Sequence, residues 1–194
     1  MFALIFINSA HSQFGRNENS LKDLAESKGK YLGNIMSSGL LFNQGRNDNG
    51  NANKVLKEHF NTVVLENDFK MAFILPRGNS APNNIHNLSI SQLKTLLNKG
   101  RVDQFLAYEN GKMRKRGHAF IWYSQAPSWL NNAAPGWSAQ QVFDFSRKYI
   151  KALGELVGDS IQEWDVINEA ISDYNGKNGK RIWRENTWYR NVNN

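Results

Sequence analysis

The sequence of 194 residues contains no cysteine, which excludes both a disulfide framework and a thiolate metal site and leaves the redox compartment unread. Past its first few residues it also lacks an apolar run of bilayer-spanning length, so no membrane association is expected of the mature chain. Low-complexity tracts are missing too, and with 21% charged residues the chain is expected to fold over most of its length. One polar stretch, residues 43–53 (NQGRNDNGNAN), reads as a flexible loop. The 40% hydrophobic and 12% aromatic content supplies one ordinary core, and the length is too short for two comfortable domains.

Acidic residues are in the minority, 17 against 24 basic ones, for a net charge of +7. A polyanion partner is one reading of that excess, but the bases are scattered. The single dense cluster, residues 112–116 (KMRKR), precedes an apolar run and reads as a solvated helix-to-strand corner. No nucleic acid partner is expected, whereas a mildly basic enzyme is compatible with a polysaccharide carrying acidic substituents.

What is present begins with a short apolar run, residues 2–7 (FALIFI), followed by Ala10 and Ser12 at the spacing a signal peptidase reads. Residues 1–12 are therefore expected to be the remnant of a signal peptide on a secreted protein, extracellular or periplasmic. A first buried strand is the alternative. Beyond it, residues 31–36 (YLGNIM) read as a short buried strand and residues 54–60 (KVLKEHF) as a helix with Val55, Leu56 and Phe60 inward. Thr62–Leu65 reads as a β-branched strand. A helical pattern starts at Ser89, pauses at Gly100 and resumes through Val102, Phe105 and Leu106; a strand over residues 118–122 follows. The strongest helix signal starts at the capping box Ser138 and Gln141 and ends at Gly158, and residues 164–167 (WDVI) form the next strand.

Alternation of strands and helices is the pattern of parallel βα units. Polar or ionisable residues follow the strands: Glu66 with Asn67, then Gln125, then Asn168 with Glu169. In a parallel barrel this is the end where active sites are built. The expected fold is α/β, a (β/α)8 TIM barrel of which only about the first four units are present, because a full barrel takes about 250 residues. Residues 13–194 are read as the N-terminal part of that barrel.

The densest chemical signal is residues 164–170 (WDVINEA), where a carboxylic acid at a strand end sits after an amide and among apolar neighbours. By itself the Asn168-Glu169 pair equally fits a surface carboxylate. The segment resembles the fourth-strand motif of glycoside hydrolase family 10, the endo-1,4-β-xylanases. That resemblance implies that Glu169 is the general acid/base and that Asn168 contacts the sugar 2-hydroxyl.

Residues 116–125 (RGHAFIWYSQ), with Pro127, Ser128 and Trp129, are similar to the family's third-strand signature, which implies sugar binding by His118, Trp122 and Gln125. Residues 66–70 (ENDFK) resemble the second-strand motif, which carries substrate-binding roles to Glu66, Asn67 and Lys70. Residues 184–189 (RENTWY) resemble the supporting segment after the acid/base strand, and Gly33 fits the first-strand glycine. Tyr123 departs from the family, which most often has His there. Read alone, Trp122 and Trp129 also fit core aromatics, His118 a core histidine and Lys70 a solvated lysine.

The resemblance implies retaining hydrolysis of internal xylan bonds by double displacement, with xylan or xylo-oligosaccharides as substrate and no metal or cofactor. Two carboxylates are needed about 5–5.5 Å apart. The family's nucleophile is a glutamate on the seventh strand, so it is expected to be missing from this fragment, which then needs the C-terminal half of the barrel. Two alternatives stand beside this reading: a non-catalytic xylan- or β-glycan-binding protein, and a related retaining glycosidase acting on another β-glycan.

Overall fold

The computed structural model describes residues 20–43, 50–78, 82, 84–175 and 181–184. The expected leader over residues 1–12, the middle of the 43–53 loop and all of RENTWY except Arg184 lie outside the described residues.

Four strands, β1 (Gly33–Met36), β2 (Thr62–Leu65), β3 (Arg114–Trp122) and β4 (Glu163–Asn168), form one sheet in the order β1-β2-β3-β4. All three pairings are parallel, with Met36 opposite Leu65, Val64 opposite Arg116, and Trp122 opposite Asn168. This is the partial parallel barrel that the alternation of elements predicts. The connecting helices are α1 (Leu21–Glu26), α2 (Ser38–Asn43), α3 (Asn51–His59), α4 (Met71–Ile74), α5 (Ile90–Leu96), α6 (Lys99–Ala107), α7 (Ser128–Ala133) and α8 (Ala139–Val157).

Helix α8 forms because Ser138 and Gln141 cap it reciprocally and because Val142, Phe145, Tyr149, Ala152 and Leu153 fall on one stripe; Gly158 stops it at positive φ. That stripe joins Leu93, Val102, Phe105 and Leu130 in a core on the helix side of the sheet. Each Val, Leu or Phe among them contributes about 1.5–3 kcal/mol on burial.

Several sequence-based expectations change. The helical break lies at Leu97 and Asn98, not at Gly100, because the Asn98 side chain accepts from the Gly100 amide (3.3 Å) and starts α6 with the glycine in its first turn. Of the three residues expected inward, Leu56 is buried and Phe60, at the C-cap of α3, packs against the core, whereas Val55 is 48% exposed. Residues 51–53 belong to that helix and not to the loop. The strand expected over residues 31–36 starts at Gly33, and its Ile35 is 55% exposed, since alternation turns it away from buried Met36 to the sheet face shared with Val64 and Arg116.

Of the basic cluster 112–116, only Lys112 lies in an exposed corner before β3. Arg114, Lys115 and Arg116 are strand residues, and Lys115 is buried opposite Val63. Burial pulls its ammonium below the ordinary lysine range, against the opposing pull of Glu109. A short antiparallel pair, β5 (Ile171–Asn175) and β6 (Arg181–Trp183), follows β4 and was not legible in the hydrophobic pattern.

Two contacts place the site-bearing segments. Asp68, fully buried, accepts from Ser38 Oγ (2.6 Å) and is ion-paired with Arg101, which also donates to Ser38 Oγ (3.3 Å); the start of α2 and the loop after β2 are thereby pinned to α6. Trp164 lies flat against β3 where Gly117 has no side chain, stacked on Phe120 (ring centroids 3.8 Å) and edge-on to Phe69 (5.3 Å).

A Cβ on Gly117 would fall 2.2 Å from the Trp164 ring. Gly117→Ala is therefore expected to destabilise the fold at or above the upper end of the roughly 1–3 kcal/mol typical of overpacking. An unchanged urea midpoint would show that the ring can leave without cost. Arg101→Ala strands Asp68 without its cation; removing one partner of a buried pair costs about 3–5 kcal/mol, and the lower end is expected because Arg101 is 31% exposed. The same unfolding measurement checks it.

Candidate active site

The C-terminal ends of β2, β3 and β4 lie side by side, and the residues singled out in the sequence follow directly on them. From the β2 end, Lys70 Nζ donates to Asn67 Oδ1 (2.8 Å) and sits over the ring of Trp122, 4.4 Å from its centroid. From the β3 end, Trp122 Nε1 donates to Glu169 Oε2 (3.0 Å). Asn67, Lys70, Trp122 and Glu169 thus form one contiguous chain of contacts across three strand ends.

Lys70 is buried, and burial moves its ammonium below the ordinary lysine range, opposed by the charges of Glu66 and Glu169. Glu66 joins the group through that electrostatic contact. Asn168 lies opposite Trp122 in the β3–β4 register. Glu169 itself is exposed and has φ 51°, in the left-handed region, as has Gln125 with φ 52°. Gln125 enters through its backbone: its carbonyl accepts from the Ala72 amide (2.8 Å), fastening the loop after β3 to α4.

His118 lies one step back along β3. Its Nδ1 is 2.8 Å from Asp165 Oδ2, its ring centroid is 6.5 Å from that of Trp122, and the His118-Ala119 peptide is cis. Asp165 is also ion-paired with Arg116, and Arg114 Nη2 donates to Glu163 Oε1 (2.8 Å), so a row of charge pairs runs along β3 and β4 toward the site. Partial burial raises the Asp165 carboxyl, but hydrogen bonds from Arg116 and His118 more than offset it and hold the group below the usual aspartate range.

Asp165 and Arg116 were not singled out as site residues from the sequence. Their signal was present as period-2 alternation, Arg114, Arg116 and His118 on one strand against Glu163 and Asp165 on the next. The resemblance groups Arg184 with the supporting segment and marks Tyr123 only as a departure; the structure seats the Arg184 side chain on the Glu169 carbonyl and over the Tyr123 ring. Trp129 is a core residue, 2% exposed, with Nε1 donating to the Pro76 carbonyl (2.9 Å).

A concavity of about 490 Å³ opens at the opposite end of the sheet, lined by Tyr31, Asn61, Lys112, Lys115 and Gln162 among others. It contains none of the residues singled out above, and the chemistry-bearing groups cluster instead on the open strand ends. Among the described residues no group of three or more His, Asp or Glu side chains converges to hold a metal ion.

Glycosyl hydrolase family 10 matches residues 20–193. The endo-1,4-beta-xylanase A of Caldicellulosiruptor saccharolyticus is 32% identical over 136 residues, covering 69% of this chain and 34% of that protein. The endo-1,4-beta-xylanase B of Thermotoga neapolitana is 26% identical over 97% of this chain and 47% of its own length. Among solved structures, xylanase 10B from Thermotoga petrophila RKU-1 in complex with xylobiose superposes with a TM-score of 0.68 at 23% identity, covering 88% of this chain and 44% of that one. The chain spans less than half the length of these relatives. The structural match shows the fold, part of a (β/α)8 barrel.

The depressed Asp165 carboxyl has a defined consequence for stability. Its folded pKa is below its unfolded value of roughly 4, so its pairings stabilise the fold above that value and cease to do so as pH falls through the folded one. Asp165→Asn is therefore expected to lower the thermal midpoint at pH 7 and to flatten its decline toward pH 3. Parallel curves for the two proteins would remove Asp165 as the source.

Proposed function

The chain belongs to glycosyl hydrolase family 10, and from that premise we propose that it forms the acid/base-bearing half of a secreted, retaining endo-1,4-β-xylanase. The observation that carries this reading is the hydrogen bond from Trp122 Nε1 to Glu169 Oε2 beside the buried Lys70. A carboxyl at an exposed strand end, held by one donor and faced by a cation, can reach a glycosidic oxygen and change protonation state during a turnover. Asn67, Lys70, Glu66, His118, Trp122, Gln125 and Asn168 are assigned to binding the sugars around it.

In the first step a carboxylate attacks the anomeric carbon while Glu169 donates its proton to the leaving oxygen. In the second, the Glu169 carboxylate takes a proton from water as that water displaces the enzyme from the sugar. The attacking carboxylate comes, in this proposal, from a later strand outside these 194 residues. Protons and charge balance with no metal or organic cofactor.

The test joins this chain to the strands that follow it in the intact enzyme. Glu169→Gln is expected to lower turnover on xylan about 10²–10⁴-fold, the usual contribution of a positioned acid/base. NMR of the first-formed product is expected to show retained anomeric configuration. Efficient xylan turnover by the 194-residue chain alone, itself lost in Glu169→Gln, would overturn the assignment of the nucleophile to another segment. Binding without turnover in the joined protein would favour a non-catalytic glycan binder, and preference for another polymer in a β-glycan panel would replace xylan as substrate.

A further inference from the structure

Arg184 follows β6, yet its side chain is committed to the turn that presents Glu169. Its Nε donates to the Glu169 carbonyl (3.0 Å), its backbone N–H donates to the Ala170 carbonyl (2.8 Å), and its Nη2 pairs with Asp173 Oδ2 (2.6 Å). The guanidinium carbon also lies 4.3 Å from the ring centroid of Tyr123. The Arg184 side chain is 13% exposed, against 81% for Asp173, so the guanidinium is packed against the turn while its anion faces solvent.

Glu169 needs such a support. Its φ of 51° lies in the left-handed region, which is unfavourable for a residue with a side chain, and such conformations persist where the surroundings over-determine them. Tyr123 is the neighbour of Trp122, whose indole makes the hydrogen bond to the Glu169 carboxylate; the two rings meet edge to face at 5.5 Å. The end of β3 therefore supplies both the donor that fixes the carboxylate and the platform under the cation that fixes its peptide.

We propose that Arg184 and Tyr123 are a positioning pair, a cation–π clamp that locks the left-handed turn at Glu169 and aims its carboxylate at Trp122 Nε1. The kinetic half of this inference rests on Glu169 as the proton donor; the structural half does not. The ring, and not the phenol, carries the stack, so Tyr123→Phe keeps the clamp while Tyr123→Ala breaks it. Arg184→Lys retains the charge but loses the planar fork that serves carbonyl, carboxylate and ring together, and restores part of the effect.

The first readout needs no catalysis. In the 194-residue chain, the Trp122 indole N–H resonance, assigned by its loss in Trp122→Phe, is expected to move toward the free-indole position in Arg184→Ala and Tyr123→Ala and to stay in place in Tyr123→Phe. Should Arg184→Ala fail to fold, Tyr123→Ala breaks the same stack from the β3 side. The second readout uses the chain joined to its later strands: kcat on xylan is expected to fall about tenfold to a hundredfold in each alanine variant with KM within about twofold, as for a misaimed catalytic group. The double variant is expected to be no worse than the poorer single one.

An unmoved indole resonance in both alanine variants, or a raised KM with kcat intact, would overturn the proposal. A shifted resonance in a joined protein that does not turn over xylan upholds the clamp and rejects the xylanase reading, so the two failures are distinguishable.

Discussion

The flat contact between Trp164 and the backbone of Gly117 is the constraint from which the rest of the site follows. With the indole held between that glycine, Phe120 and Phe69, β4 can pair with β3 in only one register, because a slip of one residue would turn the ring to the open face. That register puts Asn168 opposite Trp122 and leaves Glu169 one residue further on, where the Trp122 indole N–H reaches its carboxylate. It also puts Asp165 opposite His118 and beside Arg116, so the same contact that packs the core aligns the charge row.

The two faces of the sheet divide the labour. The helix-covered face carries Val63, Leu65 and the aromatic cluster, and supplies the rigidity on which strand ends are fixed. Lys115 is the exception on that face, a cation held where its charge is disfavoured. The other face carries Arg114, Arg116 and His118 against Glu163 and Asp165, a polar row that suits strands facing a barrel interior. At the top of the sheet, the Asp68–Arg101 pair holds the loop of Asn67 and Lys70, and Arg184 holds the turn of Glu169. The loop of Asn67 and Lys70 and the turn of Glu169 are therefore each fastened from behind by an arginine.

Much of this was legible in the sequence because it is encoded locally. The capping box of Ser138 and Gln141, the apolar stripe of α8, the β-branched run of β2 and the placing of Glu66, Asn67, Asn168 and Glu169 after strands depend only on residues close in the chain. The alternation of those elements, together with the ordered motifs, was enough for a partial parallel barrel and for Glu169 as the residue to watch. The errors arose where local rules compete. Gly100 reads as a breaker, yet Asn98 two residues earlier caps the helix that contains it. The KMRKR segment reads as solvated because charge is counted without pairing, whereas in the sheet each of its strand residues meets a specific neighbour on β2 or β4.

The sequence by itself determined the order and type of most elements and the chemical identity of the strand-end groups, since periodicity and capping act over a few residues. Only the tertiary structure decided which of those groups meet. The Lys70 ammonium over the Trp122 ring, the Trp122 indole on Glu169, the Asp165 carboxylate between His118 and Arg116, and the Arg184 guanidinium between Glu169 and Tyr123 all join residues on different strands or loops. Such contacts are set by strand register and by side-chain direction off the sheet, and those quantities exist only once Trp164 has been packed against Gly117.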